Sequence, residues 1–366
     1  MSNLSLRINC RGAGNFLLDI NCQLPATGIT AIYGASGSGK TTLLNCVAGL
    51  SPADSGSLIR FRDKTWQSDA QFTPSWLRHI GFVFQDARLF PHLSVAQNLN
   101  FALKRRAIEV EDARSDISFG NVVDWLQLST LLDRMPESLS AGQIQRVAIG
   151  RALLSGPQLL LMDEPLANLD HAAREECLYY LRRLRSTLDL PMLYVSHDIE
   201  EVSQIADNLV LLENGQIQAN GSLLDLCSRL DTRLSHQEQA AAIITGIVKT
   251  HDTSFGLTEV DVAGETLLVN HLDESPGQLR RLRIPARDVS ICRTRPSDSS
   301  ILNIIPVVLT EIEHTGDSRV LLRLAIGEQY LLARITRKSA EALKLQTGDK
   351  IFAQIKSVAL LTGATE

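Results

Sequence analysis

The sequence predicts an α/β domain with a mostly parallel sheet, followed by a β-rich tail. Over about the first 235 residues, short and nearly continuous apolar runs alternate with helix-like segments, as expected of strands covered on both faces. A glycine-rich loop stands between one such run and a helix-like segment. After about residue 240 the runs become short, alternating and interrupted by Gly, Asp and Pro, which is typical of small β-barrels.

The first domain contains three apolar runs that we interpret as buried parallel strands. They cover residues 29–33, 158–163 and 192–196. Between the last two, residues 172–188 have the period and the charges of an amphipathic helix. In sheets of this kind, ligands bind at the carboxyl ends of the strands. Candidate functional residues are therefore sought there.

The tail is expected to consist of two pieces joined near residues 295–300, an Arg-Pro-Ser-Asp-Ser-Ser stretch with the composition of a linker. The second piece has strand-like runs and one short helix-like run, which are strands at 307–312, 320–324, 329–335 and 351–358 and a helix at 339–345. We predict three domains, at residues 1–235, 236–298 and 299–366.

Composition narrows the function classes. The 366 residues include 36 Lys plus Arg and 41 Asp plus Glu, a net charge of −5. A nucleic-acid partner is not expected, since such proteins usually carry a basic excess. The six cysteines form no Cys-x-x-Cys pair, so we expect free thiols in a reducing compartment and no zinc site.

The sequence also lacks the usual signals for export or for membrane insertion. The N-terminus has no basic start followed by an apolar stretch, so a secretory signal is not expected. No run reaches the roughly 18–20 apolar residues that cross a bilayer. We expect a cytoplasmic chain that relies on other subunits for any work at a membrane.

The glycine-rich loop fits the phosphate-binding pattern G-x-x-x-x-G-K-[ST] in its expected place between a strand and a helix. Backbone N–H groups of such a loop point at phosphates, assisted by the positive end of the following helix. Lys40 is expected to reach the β- and γ-phosphates and Thr41 to hold Mg²⁺. The predicted ATP-binding residues are Gly34, Ala35, Ser36, Gly37, Ser38, Gly39, Lys40, Thr41 and Thr42.

Two carboxylates end the second apolar run. Asp163 is expected at the carboxyl end of a buried strand, where it can serve as the second Mg²⁺ ligand. Glu164 follows directly and is placed to polarise the attacking water as a general base. The combination predicts a nucleoside triphosphatase.

Five motifs in this order make the first domain resemble the nucleotide-binding subunit of ABC transporters. The signature motif of that family is usually LSGGQ, and here it has Ala141 in the middle position. The resemblance implies a P-loop ABC domain with a helical subdomain. The motifs are Gly34–Thr41, Gln85, Leu139–Gln143, Asp163 with Glu164, and His197.

The resemblance also implies roles for single residues. Two copies would pair head to tail, so that Ser140, Gly142 and Gln143 of one face the γ-phosphate bound at Lys40 of the other. Asp170, in Ala-Asn-Leu-Asp, would point across the dimer.

Three further residues take roles from the same resemblance. Gln85 would sense Mg²⁺ and the attacking water, and His197 would contact the γ-phosphate. Phe16 is our candidate for stacking on adenine, with simple core packing as the alternative. Catalysis is therefore expected to rest on Glu164, His197 and Gln85, and Mg²⁺ binding on Thr41, Gln85 and Asp163.

Motif spacing separates classes within this family. Ser140 follows Lys40 by only 100 positions, which leaves no room for the long coiled coil of chromosome-maintenance and repair ATPases. There is one motif set, which argues against the fused translation factors. In transporters, the segment after Gln85 receives a helix of the membrane subunit. Packing of Leu89 and Phe90 within the domain is a compatible alternative.

Four short segments carry a resemblance in the tail, at residues 299–303, 333–341, 348–349 and 354–357. They resemble the OB-like, molybdate-binding barrel (Mop or TOBE type) that ends the ATPases of molybdate importers, and residues 84–92 also resemble that subfamily. Thr336 and Ser339 offer hydroxyls at a helix start, and Lys356 adds charge, so these three are the candidate oxyanion ligands. The module's usual Arg is Leu302 here, which removes a bidentate donor. The tail is therefore expected either to bind molybdate weakly or to serve only in dimerisation and regulation.

The resemblance thus implies the ATPase of a molybdate importer that uses ATP and Mg²⁺. It would work as a homodimer on two transmembrane permease subunits, fed by an external molybdate-binding protein, at the cytoplasmic face of the inner membrane. The alternatives are a sister importer for sulfate, tungstate, iron or a sugar, and a cytosolic oxyanion-sensing ATPase.

Overall fold

The computed structural model of the chain describes residues 3–12, 16–105 and 117–356. The chain divides into two compact units between Asn220 and Gly221. Among the described residues, no helix has both the length and the apolar character needed to cross a bilayer.

The first unit is built on one sheet of eleven strands. Its strands are β1 (Asn3–Arg11), β2 (Leu17–Pro25), β3 (Ile29–Tyr33), β4 (Leu58–Phe61), β5 (Lys64–Ser68), β6 (Gln71–Phe72), β7 (Ile80–Val83), β8 (Leu159–Asp163), β9 (Met192–Ser196), β10 (Asn208–Glu213) and β11 (Gln216–Ser222). Their order across the sheet is β6-β5-β4-β1-β2-β11-β10-β3-β9-β8-β7.

The two halves of this sheet differ in strand direction. From β6 to β2 the neighbours run antiparallel, whereas β10, β3, β9, β8 and β7 run parallel to one another. Every residue of β8 and β9 is buried, because helices cover both faces of a parallel sheet. The α/β fold class predicted from the apolar runs is confirmed.

Six α-helices are described in this unit, and three of them, α2, α3 and α4, lie between β7 and β8 in the sequence and form a helical layer. In this layer α4 packs against α2 and α3, and it also packs against α5, which follows β8. The helices are α1 (Lys40–Ala48), α2 (Val95–Leu103), α3 (Phe119–Trp125), α4 (Ala141–Leu154), α5 (His171–Thr187) and α6 (Ile199–Ile205). The layer corresponds to the expected helical subdomain.

Close packing explains one glycine of the signature motif. A Cβ at Gly142 would lie 3.1 Å from the Cβ of Ala173. The start of α4 therefore approaches α5 more closely than a larger residue would allow.

The second unit contains two antiparallel sheets around one apolar core. Its elements are α7 (Leu223–Ser228), α8 (Arg233–His236), β12 (Ala241–Asp252), β13 (Leu257–Val262), β14 (Glu265–Asn270), β15 (Leu279–Pro285), β16 (Val289–Cys292), β17 (Asn303–Thr315), β18 (Arg319–Ile326), β19 (Gln329–Thr336), α9 (Arg337–Ala342) and β20 (Lys350–Ile355). The sheets are ordered β14-β13-β12-β15 and β16-β20-β17-β18-β19.

Two side-chain amides join these sheets. Gln329 Oε1 accepts from Thr245 N at 2.6 Å, and its Nε2 donates to Thr245 O at 2.9 Å. Asn303 makes the same pair of bonds with the backbone of Leu268, at 2.7 and 2.8 Å. Each amide thus bonds to a backbone N–H and C=O as a neighbouring strand would. Together these four hydrogen bonds link the two sheets.

The units divide the chain earlier than the domain end that we predicted at residue 235. Residues 221–235 belong to the second unit, because α7 buries Leu223, Leu226 and Cys227 and packs on β12 and β19. The pieces predicted at 236–298 and 299–366 share one core. The predicted strand 351–358 is described only to Ile355, and residues 357 and 358 lie outside the described part.

Candidate nucleotide site

The predicted site residues gather at one edge of the parallel sheet. The phosphate loop follows β3, Asp163 ends β8, and His197 lies just past β9. These three strands are neighbours in the sheet. Their carboxyl ends therefore meet at one place, as expected for ligand sites of such sheets.

The phosphate loop has the backbone that its glycines permit. Gly37 and Gly39 have φ angles of 80° and 103°, in the left-handed region that favours glycine. A Cβ at Gly34 would lie 2.2 Å from the carbonyl oxygen of Leu212, so only glycine fits there. The loop curls tightly before α1 begins at Lys40.

The Lys40 side chain lies inside this loop. Its Nζ donates to the carbonyl oxygens of Gly34 and Ala35 at 2.8 and 3.0 Å, and the residue is 4% exposed. The hydroxyl of Ser38 is buried and has no hydrogen-bond partner among the residues that the structure describes. A buried donor in this state fits the oxygen of a bound phosphate.

Glu164 connects Lys40 with His197. Its Oε1 lies 3.3 Å from Lys40 Nζ, and its Oε2 lies 3.1 Å from His197 Nδ1. Glu164 has a φ of 44°, and its N–H donates to Val195 O at 3.1 Å. A left-handed backbone is unusual for a non-glycine residue, and such strain is concentrated at functional sites.

The Thr41 hydroxyl donates to Asp163 Oδ1 at 3.1 Å. Burial raises the pKa of Asp163, and the hydrogen bond from Thr41 opposes that rise, whereas the charge of Glu164 adds to it and that of Lys40 lowers it. A hydroxyl and a carboxylate are hard oxygen ligands, as Mg²⁺ prefers. Among the described residues, no group of three or more His, Cys, Asp and Glu side chains could hold a metal. The pair therefore suits Mg²⁺ that takes its other ligands from phosphates and water.

The signature residues lie at the start of α4 and bond to each other. Ser140 Oγ accepts from Gln143 N at 3.3 Å, and Gln143 Oε1 accepts from Ser140 N at 3.0 Å, forming a capping box. Ser140 is exposed and Gly142 is buried against α5. The two side chains thus fix the first turn of α4, and Ser140 remains exposed to solvent there.

Three other predicted residues have distinct surroundings. Asp170 caps α5, accepting from Ala173 N at 2.8 Å, and Gln85 is exposed two residues after β7. Phe16 is half-buried against the phosphate loop, since a Cβ at Gly39 would lie 2.7 Å from its Cζ. The ring packs on the core beside the loop, so both interpretations of Phe16 stay open.

The segment after Gln85 is partly packed into its own unit. The centroid of the Phe90 ring lies 4.5 Å from that of Phe101, with the two rings tilted by 54°, and the guanidinium of Arg151 lies over the Phe90 ring at 5.3 Å from its centroid. Asn98 accepts from Phe90 N at 2.9 Å. Packing of Phe90 is therefore observed, and Arg88 beside it is exposed.

Sequence reasoning missed a polar network behind His197. Tyr194, Ser196, Asp198 and Glu201 bond to one another, and Arg174 of α5 pairs with both carboxylates. The signal available in the sequence was the acidic run that follows His197. It could not identify Arg174, which lies on a different element.

The three candidate oxyanion ligands do not come together within one chain. The hydroxyls of Thr336 and Ser339 lie 2.8 Å apart, and Thr336 caps α9. Thr336 lies at the Thr315 end of β17, because it pairs with Arg319, which in turn pairs with Thr315. Lys356 lies at the Asn303 end, because it directly follows Ile355, which pairs with Asn303. These ends are separated by the full length of a 13-residue strand.

Comparison with known proteins follows the same division. Residues 17–167 match the family described as "ABC transporter" and residues 299–361 match the "TOBE domain". The "Molybdenum import ATP-binding protein ModC 1" of Azotobacter vinelandii is 46% identical over 94% of this chain and 95% of its own length. The "Molybdenum import ATP-binding protein ModC" of Pseudomonas aeruginosa is 45% identical over 99% of this chain and 100% of its own length.

Solved structures resemble part of the chain. One is cbiO1 from Clostridium perfringens, part of an ABC transporter complex, with a TM-score of 0.52 and 28% identity over 60% of this chain and 88% of its own. Another is a dimeric ATP-binding cassette in a post-hydrolysis state bound to ADP and Pi, with a TM-score of 0.50 and 26% identity over 61% of this chain and 99% of its own.

Proposed function

The chain belongs to the molybdenum import ATP-binding proteins of the ABC transporter family, and from that premise we propose how its residues drive import. It is the ATP-hydrolysing subunit of a molybdate ABC importer. The roles of individual residues, the partners and the oxyanion site are our proposals.

The group formed by Lys40, Glu164 and His197 carries the proposed chemistry. One carboxylate lies within 3.3 Å of a buried ammonium and 3.1 Å of an imidazole, at the strand edge where the phosphate loop opens. Such a site can bind the γ-phosphate through its cations, orient a water molecule and accept a proton from that water through its carboxylate. This is what hydrolysis of a phosphoanhydride requires, since catalysis of phosphoryl transfer is mostly positioning and charge stabilisation.

We assign ATP to the phosphate loop, with Gly34–Thr42 around the phosphates and Phe16 beside adenine. Lys40 exchanges its loop carbonyls for β- and γ-phosphate oxygens, which are stronger partners for an ammonium. Ser38 donates its unpartnered hydroxyl to the same phosphates. Mg²⁺, when bound, neutralises phosphate charge, and Thr41, Asp163 and Gln85 are the residues that would hold it.

Glu164 acts as the general base of the reaction. It takes the proton of a water that attacks the γ-phosphorus in line with the leaving ADP oxygen. His197, bonded to Glu164, contacts the γ-phosphate and keeps the carboxylate aimed at the water. The P–O bond to ADP breaks as the bond to water oxygen forms, giving ADP and phosphate.

A second copy of the chain completes the site. Ser140, exposed at the start of α4, offers a hydroxyl to an anion, and the first turn of the helix, which includes Gly142, offers backbone N–H groups and the positive helix end. Gln143 fixes the cap. Asp170 at the start of α5 faces the same interface. The dimeric cassette bound to ADP and Pi, to which this chain is similar, supports the pairing.

The dimer works at the cytoplasmic face of the inner membrane on two permease subunits, which receive molybdate from an external binding protein. The permease contacts the segment after Gln85. The tail binds molybdate through Thr336, Ser339 and Lys356 only if two copies contribute, because one chain holds these groups at opposite ends of β17.

Uptake of molybdate, tungstate and sulfate by cells lacking this chain tests the proposal. Complementation with the wild-type chain should restore molybdate uptake, and Lys40→Ala should not. Sulfate uptake independent of the chain supports the molybdate assignment. Restored sulfate uptake with unchanged molybdate uptake would favour a sister importer.

A further inference from the structure

The exposed ring of His197 depends on the backbone that carries it. Its side chain is 51% exposed, and Nδ1 lies 3.1 Å from Glu164 Oε2. The residue lies between the end of β9 and the start of α6. A half-exposed ring without enclosing walls takes its direction from the residues on either side.

Glu201 fixes both of these neighbours. Its Oε2 accepts from Ser196 Oγ at 2.9 Å and from Tyr194 OH at 3.0 Å. Ser196 Oγ in turn accepts from Asp198 N at 2.9 Å. Glu201 is 5% exposed, and burial raises its pKa. A buried carboxylate needs such partners, because leaving it unpaired costs free energy.

Arg174 supplies the cation for this network from another element. Its Nη1 lies 3.1 Å from Asp198 Oδ2, and its Nε lies 3.4 Å from Glu201 Oε1. One guanidinium thus forms ion pairs with two carboxylates that follow His197, and it donates a hydrogen bond to that of Asp198. The planar fork of arginine suits two partners at once, whereas the ammonium of lysine is a single point charge.

The network reaches the general base through a small cavity. The space of about 30 Å³ is lined by Glu164, His197, Arg174 and Glu201, and by Ala167, which precedes Asp170. That volume holds about one water molecule. Arg174 itself lies four residues after Asp170, in the first turns of α5.

We propose that Arg174 is a positioning residue for His197, tying the loop that carries the imidazole to the start of α5. The inference rests on the proposed roles of Glu164 and His197 in ATP hydrolysis. Through Arg174, a shift of Asp170 at the interface between two copies is passed to the group that contacts the γ-phosphate.

The test measures ATP hydrolysis and ATP binding by the full-length chain reconstituted with its permease. Arg174→Gln should lower kcat about 10- to 50-fold and change KM for ATP less than about twofold, since Arg174 does not contact nucleotide. Arg174→Lys should recover part of the loss. Arg182→Gln is the matched control, because Arg182 also joins α5 to α6, through Gln204, and its kcat should stay within about twofold of wild type.

A double-mutant cycle with His197→Ala separates positioning from a general structural role. If Arg174 acts through His197, adding Arg174→Gln to His197→Ala should lower kcat no more than about twofold further. Multiplicative losses would overturn the inference. If Arg174→Gln fails to fold, Arg174→Lys carries the same cycle.

The two proposals fail in distinguishable ways. Full activity of His197→Ala would contradict the proposed function and the inference together. A large loss in His197→Ala with full activity in Arg174→Gln would contradict the inference alone.

Discussion

The nucleotide site of the first unit and the candidate oxyanion site of the second differ in how the fold gathers their residues. Lys40, Asp163 and His197 are far apart in sequence but lie at or just past the ends of adjacent parallel strands. Lys40 and His197 therefore both contact Glu164, and Asp163 accepts from Thr41 beside them. Thr336 and Lys356 are near in sequence, yet antiparallel strands carry them to opposite ends of β17.

The difference teaches that strand direction decides which predicted residues form a site. Parallel strands deliver all their carboxyl ends to one edge. Antiparallel strands alternate their ends, so residue types that suit an anion can still face different places. One chain therefore brings Lys40, Asp163, Glu164 and His197 together at one edge of the sheet, whereas it does not bring the predicted oxyanion ligands together.

The largest expected effect concerns the buried ammonium. Lys40→Ala should weaken ATP binding by about 10²-fold or more, because it removes a charge-assisted contact to two phosphates. Equilibrium binding of a fluorescent ATP analogue measures this. Affinity equal to wild type would break the assignment of the loop.

Glu164→Gln should separate binding from chemistry. The amide keeps the shape of the carboxylate but cannot accept the water proton, so kcat should fall at least about 10²-fold while ATP affinity is kept. Steady-state hydrolysis and the same binding assay provide the two numbers. Unchanged turnover would refute the general-base role.

The next effect tests whether Thr336 is structural in the single chain. Thr336→Ala removes the side-chain cap of α9 and should lower the free energy of unfolding of the second unit by about 1 kcal/mol. ATP hydrolysis should stay within about twofold of wild type. Denaturant unfolding followed by circular dichroism measures the change in stability. A large loss of ATP hydrolysis would contradict a purely structural role of Thr336 in the second unit.

The smallest effect concerns the charge of Asp163. Its pKa is raised from 3.8, mainly by burial. Ionisation of the carboxyl therefore destabilises the folded protein, and a neutral side chain avoids this cost. Asp163→Asn mimics the neutral form and should raise Tm of the nucleotide-free protein by no more than about 3 °C at neutral pH.

The sign of this effect follows from linkage. Below pH 3.8 the variant and wild type should melt alike, and the gap should grow as pH rises through the raised pKa and then level off. Melting curves of both proteins across this range test the direction. A variant that melts below wild type at neutral pH would contradict it.

The sequence predicted the parts of the site that local patterns encode. The glycines before Lys40 predicted a tight phosphate-binding loop, and Gly37 and Gly39 have the positive φ angles of such a loop. The apolar run ending at Asp163 predicted a buried strand, which is β8. The expectation that His197 contacts the γ-phosphate came from the family resemblance, and the strand order that brings it to Glu164 is seen only in the structure. The link from Arg174 to Glu201 could not be predicted, because it joins α5 to a residue of α6 that lies 27 positions away, without a shared motif.

Pattern reasoning was weaker in the tail. It identified the four strands β17–β20 but treated Thr336, Ser339 and Lys356 as one group on residue type alone. It also ended the first domain at residue 235, whereas α7 packs on β12 and β19 of the second unit. Both differences depend on which surfaces pack together, and composition does not specify that.

The central claim is that cleavage of ATP at Glu164 powers molybdate import. The most direct measurement is uptake of labelled molybdate into proteoliposomes that contain the permease, the external binding protein and this chain. Wild type with ATP should accumulate molybdate, and Glu164→Gln, loaded with ATP to the same extent, should not. Equal uptake by the two proteins would contradict the account.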